Sequence, residues 1–437
     1  MTAPLRRSLT TLTLVAVMFF NVSGGAFTTE SLIVSVGPAM GLLILALVPL
    51  IWSVPEALIV GELASMLPEE GGYYRWVYRA FGPFWAFQNG WWTWMYSLVD
   101  MAIYPVLFNQ YLSWFIPGLG GGAQWIISLA VIWLATAVNL RGAGRVGLVS
   151  VVFGSFILLV FLLVSIAALP HVTHLPWESA GRPATARASA LGIGVSIALW
   201  NYIGWDNAST VQGEVRDSSR SYPRALAITL PVVTLGYLIP LGATLAATDW
   251  TKWREGEWPE IARMAAGKLG EPLAVLIAIA GMLSALALFN ALLLSYSRIP
   301  LTMAGDGLLP SGLAKLDKRA TPRNAVLVSA ICYSIFALLS FVHLVVADVL
   351  LYSLALFLEF AALIALRKKS PELRGSFRIP LGSGGVIILA LVPAVILIGV
   401  VVLEMSDGEY GGPAIFGALM AVLLGPVGYA VAKRSAR

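Results

Sequence analysis

Charged residues are scarce in this chain. Asp, Glu, Lys and Arg make up only 12% of its 437 residues, whereas hydrophobic residues make up 58%. Soluble domains are about 25% charged and about 45–50% apolar, so the composition excludes an ordinary globular enzyme, a disordered chain and a nucleic-acid binder. Together with a mean hydropathy of +0.83, it predicts an all-α polytopic membrane protein.

Cysteine and histidine are nearly absent as well. The single cysteine, Cys332, lies in an apolar run, which excludes a disulfide framework and a thiolate metal cluster. The three histidines, at positions 171, 174 and 343, are too scattered for a zinc site. The apolar segments also contain no HExxH motif, nucleophile elbow or His–acid pair. We therefore expect no enzyme activity, no metal and no cofactor.

Twelve apolar segments are long enough to cross a membrane, which takes about 20 helical residues. They are 9–36, 40–66, 84–115, 123–140, 146–169, 189–212, 224–248, 272–297, 324–342, 346–366, 384–403 and 413–432. The loops that remain are short. We therefore predict a single domain over residues 1–437, embedded in the lipid bilayer.

Lysine and arginine are distributed unevenly between the two predicted faces. With the N-terminus inside the cell, 22 of the 28 lie on the cytoplasmic side and 6 on the outer side. Such a bias is typical of cytoplasmic loops. It predicts cytoplasmic N- and C-termini, and we expect a bacterial inner membrane. It also explains the net charge of +5 without a nucleic-acid partner.

Two predicted spans are interrupted by glycine and polar residues. The first span contains NVSGGAF at 21–27, and the sixth contains WNYIGWDN at 200–207. The two spans are five apart, an odd number, so spans 6–10 enter the membrane from the side opposite to spans 1–5. Paired breaks in inverted halves predict a transporter with a site near the membrane midplane. The predicted repeats are 9–169 and 189–366, followed by two peripheral helices at 384–432.

The first break is predicted to bind substrate through Ser23, Gly24 and Gly25. Free N–H groups at a half-helix N-terminus suit an anionic group, and the carbonyls at a half-helix C-terminus suit an ammonium. The alternative is that these glycines only permit close helix packing. Gly24 and Gly25 are adjacent and point to different helix faces, so packing explains the pair poorly. It would be a sufficient explanation for Gly204 alone.

Five stretches carry a family resemblance. They are 19–32 (FFNVSGGAFTTESL), 51–77 (IWSVPEALIVGELASMLPEEGGYYRWV), 81–107 (FGPFWAFQNGWWTWMYSLVDMAIYPVL), 200–215 (WNYIGWDNASTVQGEV) and 358–367 (LEFAALIALR). They resemble the amino acid–polyamine–organocation superfamily, and within it the polyamine and cationic amino acid uptake transporters. The resemblance implies ten core helices in two inverted repeats, two further helices, alternating access and proton coupling.

The fifth span departs from the amino acid exchangers of that superfamily. Several exchangers carry a lysine there, where sodium-coupled relatives bind the ion. Spans 4 and 5 of this chain contain no lysine, and Arg145 lies at the predicted cytoplasmic mouth. A lysine-based coupling scheme is therefore not expected in this protein.

The twelve predicted spans contain seven acidic residues and no lysine or arginine. The acids are Glu30, Glu56, Glu62, Asp100, Asp206, Asp348 and Glu359. Ionisable residues within spans usually face the bundle interior and have a function. Without basic partners they need protons or a cationic substrate, and burial favours the neutral carboxyl group. We therefore expect a proton gradient as the driving force, with sodium as an open alternative.

Aromatic residues accompany two of these acids. Tyr96 and Asp100 share one helical face with Tyr104, because the three are spaced four residues apart. We predict that Tyr96 and Asp100 bind substrate and that Asp100 is also a candidate for proton coupling. The alternative is a structural carboxylate held by a tyrosine hydroxyl.

Asp206 is flanked by Trp200, Tyr202 and Trp205. Aromatic faces beside a carboxylate suit an alkylammonium group, so we predict that all four residues bind substrate. The alternative for Asp206 is a cap on the inner half-helix. Asp206 is also the first candidate for proton coupling, and Glu359 is a further one.

Other acids are expected to have structural roles. Glu56 follows a proline and is interpreted as mainly structural. A second group near the cytoplasmic face is interpreted as a solvated loop rather than an ion-paired gate, and it comprises Glu62, Glu69, Glu70, Arg75 and Arg79.

The leading prediction is a proton-coupled secondary active transporter for polyamines or related cationic amines. The alternative is an amino acid transporter or exchanger, in which the amides of residues 23–25 hold the substrate carboxylate. A nutrient sensor is disfavoured, because it would need a cytoplasmic extension that the short terminal segments do not supply. The predicted partners are a small-molecule amine or amino acid and the bilayer, and the oligomeric state is left open.

Overall fold

The computed structural model describes residues 5–178, 188–337, 345–405 and 411–435. These residues form helices and connecting turns, with no β-strand among them; Leu9 and Val215 form an isolated parallel bridge. The helices are α1 (Thr11–Val22), α2 (Thr29–Val36), α3 (Pro38–Val48), α4 (Val54–Met66), α5 (Gly72–Phe81), α6 (Pro83–Leu112), α7 (Gly121–Asn139), α8 (Ala143–Ala168), α9 (Ala188–Trp200), α10 (Ser218–Ala247), α11 (Trp258–Ala265), α12 (Gly270–Tyr296), α13 (Arg298–Gly305), α14 (Arg323–Phe336), α15 (Val345–Lys369), α16 (Ser383–Met405) and α17 (Gly411–Ser435).

The described helices overlap each of the twelve predicted spans, and residues 338–342 of the ninth lie outside the described residues. Five continuous segments have both the length and the apolar character of membrane spans: Pro38–Met66, Gly121–Asn139, Ala143–His171, Ser218–Ala247 and Gly267–Gly305. The predicted all-α polytopic fold is therefore confirmed. The division into inverted repeats over 9–169 and 189–366 stays a prediction.

Both predicted interruptions are real breaks in the helices. The first separates α1 from α2, and the second separates α9 from a 3₁₀ segment at Asn207–Glu214. Gly25 and Gly204 adopt φ angles of +98° and +102°, a region that residues with a Cβ atom rarely occupy. A helix cannot continue through such a residue, and each glycine lies in the non-helical stretch between two helical segments.

The two breaks contact each other. A Cβ atom on Gly204 would overlap the backbone carbonyl of Asn21. The hydroxyl of Thr28 donates a hydrogen bond of 3.0 Å to the side-chain oxygen of Asn201. Two constraints therefore require glycine at position 204: the positive φ angle and the close contact with Asn21. The sequence alone could be explained by close packing.

Longer helices surround the breaks. α1 packs against α8, α10 and α12, and α12 also packs along α6. α15 lies against α6 on another side. The last two helices add to this core from outside, because α16 packs on α9 and α17 packs on α6 and α15.

Two of the short helices outside the predicted spans, α5 and α11, lie at opposite ends of the bundle. α5 packs on α6 and α15, while α11 packs on α12. α10 contains 30 residues, a length of about 45 Å, and connects the end that holds Val215 to the end that holds α11. We call the end where Leu9 pairs with Val215 the N-terminal face, and the end covered by α11 the opposite face.

Candidate substrate-binding site

A cavity lies where the two breaks meet α6, α12 and α15. Its lining consists of Asn21, Val22, Ser23, Gly24, Phe27, Thr28, Tyr96, Asp100, Tyr104, Leu107, Tyr111, Trp200, Asn201, Ile203, Gly204, Asn207, Gly281, Ser284, Ala285, Leu288, Tyr296 and Tyr352. The space open to the centres of water molecules is about 50 Å³, enough for a few waters. The cavity is therefore narrow in this conformation.

Asp100 is the one charged side chain among the described residues that line this cavity. One carboxylate oxygen accepts a hydrogen bond of 2.7 Å from the hydroxyl of Tyr104. The other oxygen accepts a bond of 3.0 Å from the hydroxyl of Tyr296. Tyr96 lies nearby, with its ring edge-on to that of Tyr296 at 5.7 Å. The cavity thus surrounds a carboxylate with aromatic rings, which suits a cation.

The amides of the first break are mostly engaged within the chain. Ser23 donates its backbone N–H to the carbonyl of Phe19 at 2.6 Å, and Gly25 donates its N–H to the side-chain oxygen of Ser23 at 3.1 Å. The carbonyl of Gly24 accepts a bond of 2.6 Å from the hydroxyl of Ser284. Two of the three predicted anion donors are therefore already occupied.

The predicted substrate-binding residues fall into two groups. Those that line the cavity are Ser23, Gly24, Tyr96, Asp100 and Trp200. Gly25, Tyr202, Trp205 and Asp206 lie outside the lining. The indole N–H of Trp205 donates to the carbonyl of Tyr202 at 2.8 Å. These two residues therefore stabilise the sixth-span break without lining the cavity.

Asp206 belongs to a buried acidic group next to the cavity. It stands at the N-cap position of the 3₁₀ segment, where no side-chain capping hydrogen bond is formed. Its carboxyl oxygen lies 2.9 Å from the hydroxyl of Tyr352. The same hydroxyl lies 2.6 Å from a carboxyl oxygen of Glu56. Tyr352 itself lines the cavity, so it connects the acids to that cavity.

The hydroxyl of Tyr352 has three hydrogen-bond partners. It accepts the backbone N–H of Gly204 at 2.8 Å and also contacts Glu56 and Asp206. A phenol carries one proton and can donate to only one of the two carboxyl groups. The other carboxyl group must then donate a proton of its own. This arrangement can hold one exchangeable proton between two acids.

Glu359 lies in the same region, on α15. Both of its carboxyl oxygens are buried and reach no hydrogen-bond partner among the described residues. Asp206 and Glu56 are close enough to act on it electrostatically. Glu359 is thus a third carboxyl group of the cluster. The side chain of Asp348, another predicted acid, lies outside the described residues.

Several lining residues were not singled out from the sequence. Among them, Tyr296 and Asn207 contribute to the cavity from α12 and the sixth span. Asn207 was the last residue of the predicted break, so its place in that polar stretch could have identified it. Tyr296 lies in a continuous apolar helix, where no local pattern distinguishes it from packing residues.

Ion pairs close the N-terminal face, and this corrects the solvated-loop interpretation. Glu62 is buried and accepts a hydrogen bond of 2.7 Å from Arg367. Arg75 bonds Asp306 at 2.8 Å. Glu62 is therefore not an unpaired acid, as the sequence suggested. Arg367 lies one residue beyond the predicted limit of the tenth span, and folding brings it back to Glu62.

A second buried pair joins the end of the sixth span to α13. The guanidinium of Arg298 is fully buried and donates to Glu214 at 2.9 Å, with Glu70 at 3.8 Å. Burial, and then the neighbouring Glu214 carboxylate, raise the pKa of Glu70 in the loop before α5, whereas Arg298 lowers it. The backbone of Leu9 also bonds that of Glu214 at 2.9 Å. The N-terminal face is thus held together around one arginine.

Replacing Arg298 with methionine should lower the free energy of unfolding by about 3–5 kcal/mol, because Glu214 would remain buried without a partner. Thermal unfolding of the purified protein in detergent measures this loss. The double variant Arg298→Met/Glu214→Gln should recover much of it, because the uncompensated charge is gone. A variant at the exposed Lys315 is the control. Equal stability of Arg298→Met and the wild type would contradict this interpretation.

The opposite face is closed by contacts from the loop before α11. The backbone N–H of Gly256 donates to Glu30 at 2.8 Å. The indole N–H of Trp258 donates to the carbonyl of Ala26 at 2.7 Å. Glu30 therefore joins the first-span break to the segment that covers this face.

Comparisons with known proteins agree with this architecture. A family model described as amino acid permease matches residues 9–424. Polyamine transporter RMV1 of Arabidopsis thaliana is 36% identical, over 90% of this chain and 80% of its own length. Polyamine transporter PUT1 of Oryza sativa subsp. japonica is 35% identical, over 96% of this chain and 78% of its own length. Branched-chain amino acid permease BcaP of Lactococcus lactis is 27% identical over 63% of each chain.

The family match extends from the start of α1 into α17 and includes both breaks and the cavity between them. It confirms the resemblance that the sequence motifs indicated. The chain therefore belongs to the amino acid permease family and is an integral, multi-pass membrane transporter rather than an enzyme.

Proposed function

We propose that the protein is a secondary active transporter of polyamines or related cationic amines, driven by protons and working by alternating access. The observation that carries this proposal is the cavity charge. Asp100 is a carboxylate, and no basic side chain accompanies it among the described lining residues. A substrate that brings its own positive charge compensates that carboxylate, whereas a neutral substrate leaves it buried without a counter-charge.

The surroundings of Asp100 also favour an alkylammonium substrate. Tyrosines 96, 104, 111, 296 and 352 contribute ring faces and hydroxyl groups to the lining. Phe27 stands edge-on to Tyr111 with ring centres 5.0 Å apart. Aromatic rings attract ammonium groups, and they also cover the methylene chain between two such groups.

The alternative substrate class is an amino acid, as the name of the branched-chain permease suggests for that relative. A free carboxylate would need the amides of the first break. Those of Ser23 and Gly25 are engaged by Phe19 and by the Ser23 side chain. An amino acid substrate that uses these two amides would have to replace their internal hydrogen bonds, whereas a polyamine would not. The names of the plant relatives also support the polyamine proposal.

Protons would be carried by the acidic cluster of Glu56, Asp206 and Glu359. Tyr352 touches two of these acids and also lines the cavity. A cationic substrate near Tyr352 would favour release of the proton held there, because like charges repel. Coupling of substrate and proton through one hydroxyl requires no lysine in span 5.

We propose that the N-terminal face is cytoplasmic, because it receives most of the lysine and arginine. The ion pairs of Arg298 and Arg367 would then form the inner gate, and the contacts of Gly256 and Trp258 the outer gate. A location in a bacterial inner membrane is part of the same proposal.

A binding panel tests the substrate class. We expect putrescine and spermidine to raise the unfolding temperature of the purified protein, and amino acids with neutral side chains to have little effect. Amino acid amides serve as the matched control, because amidation removes the carboxylate and keeps the amine. A response to a neutral amino acid that is lost on amidation, with none to any di- or polyamine, would contradict the proposal.

A further inference from the structure

An open basic cleft lies on the N-terminal face, away from the substrate cavity. Its space is about 720 Å³, far larger than the cavity between the breaks. Seven cationic residues line it, and together they define the basic cleft: Arg6, Arg7, Arg141, Arg145, Arg216, Lys318 and Arg319. The described acidic residue in the lining is Glu214, which is already bound to Arg298.

The cations of the basic cleft come from four separate segments. They belong to the segment before α1, the α7–α8 turn with the first turn of α8, the end of the sixth span, and the loop between α13 and α14. All seven residues are exposed, and none forms an ion pair with another described residue. Like charges at one site repel each other, so the cleft favours an anionic occupant.

A helix N-terminus adds to this positive charge. α8 begins at Ala143 after Gly142, and no side chain caps it. Gly142, Ala143 and Gly144 all line the basic cleft. The free N–H groups and the positive end of a 26-residue helix favour an anion there.

We propose that the basic cleft binds a phosphate-bearing anion. Arginine side chains and helix N-termini are the groups that recognise phosphate oxygens through charged hydrogen bonds. The anion could be the headgroup of an acidic phospholipid at the membrane surface or a soluble polyphosphate. Basic pockets beside membrane helices are suited to such headgroups. The proposal is independent of the substrate carried.

Binding in the basic cleft would also stabilise the closed N-terminal face. The backbone of Leu9 bonds Glu214, and the backbone N–H of Arg216 bonds Leu9 at 2.9 Å. Arg6, Arg7 and Arg216 lie beside these bonds, in the segments that flank the two broken spans. The other cations belong to the connecting loops. An anion that contacts both sets holds the broken spans against the loops and opposes their separation.

The excess of lysine and arginine on one face of a membrane protein explains why this face is basic. It does not explain why seven of these side chains line one cleft. Lys315 and Arg323 are exposed on the loop and helix next to Lys318 and Arg319, yet they do not line the basic cleft. They therefore supply a control with the same change in charge.

The test compares Arg141→Gln/Arg145→Gln with Lys315→Gln/Arg323→Gln in the full-length protein. Binding of inorganic pyrophosphate is measured at constant ionic strength, and binding of phosphatidylglycerol is measured in nanodiscs against phosphatidylcholine. We expect the first variant to bind at least one probe about tenfold more weakly, with the control unchanged. If Arg141→Gln/Arg145→Gln weakens the binding of phosphatidylglycerol alone, the anion is a lipid headgroup. If it weakens the binding of pyrophosphate, the anion is a soluble one. Equal effects in both variants, or no binding of either probe, overturn the proposal.

Amide hydrogen exchange tests the structural consequence. The bound probe should slow exchange at Leu9 and Arg216, whose N–H groups form the bonds at the edge of the cleft. The slowing should be absent in Arg141→Gln/Arg145→Gln. If that variant does not fold, Arg6→Gln/Arg7→Gln changes only exposed side chains and serves in its place. Unchanged exchange at both amides in the presence of a bound probe overturns the stabilising role.

Discussion

Asp100→Asn is expected to weaken the binding of a di- or polyamine at least about 30-fold. Asparagine keeps the shape of the side chain but removes the cavity's carboxylate charge. Loss of one partner from a buried, hydrogen-bonded charge pair costs about 2–5 kcal/mol, and a cost of about 2 kcal/mol corresponds to a change in affinity of about 30-fold. Equilibrium binding of spermidine to the purified protein measures the change.

Tyr104→Phe is the matched control for this variant. It removes one hydrogen bond to Asp100 but leaves the carboxylate charge in place. We expect a smaller loss of affinity than in Asp100→Asn, because the carboxylate that attracts the substrate remains and keeps its hydrogen bond from Tyr296. Spermidine affinity in Asp100→Asn equal to that of the wild type would remove Asp100 from the substrate site.

Asp206→Asn is expected to abolish proton-driven accumulation. One coupled proton and a gradient of one pH unit support about tenfold accumulation, because one pH unit corresponds to about 1.36 kcal/mol. Without an exchangeable proton at Asp206, the substrate should only equilibrate across the membrane. Uptake into proteoliposomes with and without an imposed pH gradient measures the difference.

Two further variants give this prediction its control. Glu30→Gln changes another buried carboxyl group, which bonds Gly256 and not the acidic cluster, and should keep its response to the gradient. Tyr352→Phe removes the hydroxyl shared by Glu56 and Asp206. Its uptake should no longer respond to the pH gradient. A normal response of Asp206→Asn to the pH gradient would exclude Asp206 from coupling.

The sequence predicted both breaks and, within the first, the lining residues Ser23 and Gly24. Residues 21–27 and 200–207 contain glycine and polar groups in otherwise apolar spans, a local signal that needs no knowledge of neighbours. The φ angles of Gly25 and Gly204 agree with it. Tyr96 and Asp100 were found in the same way, from their spacing along one helix.

The roles of the other acids could not be predicted by the same means. Glu56 was interpreted as structural, yet it shares the hydroxyl of Tyr352 with Asp206. Glu62 was counted as unpaired, yet it bonds Arg367. The deciding partner, Tyr352 or Arg367, is about 300 residues away along the chain in both cases, beyond the reach of any periodicity.

The helical class and the location of the breaks followed from the sequence alone, because an apolar solvent forces each segment to satisfy its own backbone hydrogen bonds. Only the tertiary structure decided which carboxyl group stands in the cavity, which pair shares the hydroxyl of Tyr352 and which is paired with an arginine. Charge compensation is settled between side chains a few ångströms apart, and packing of distant helices sets those distances.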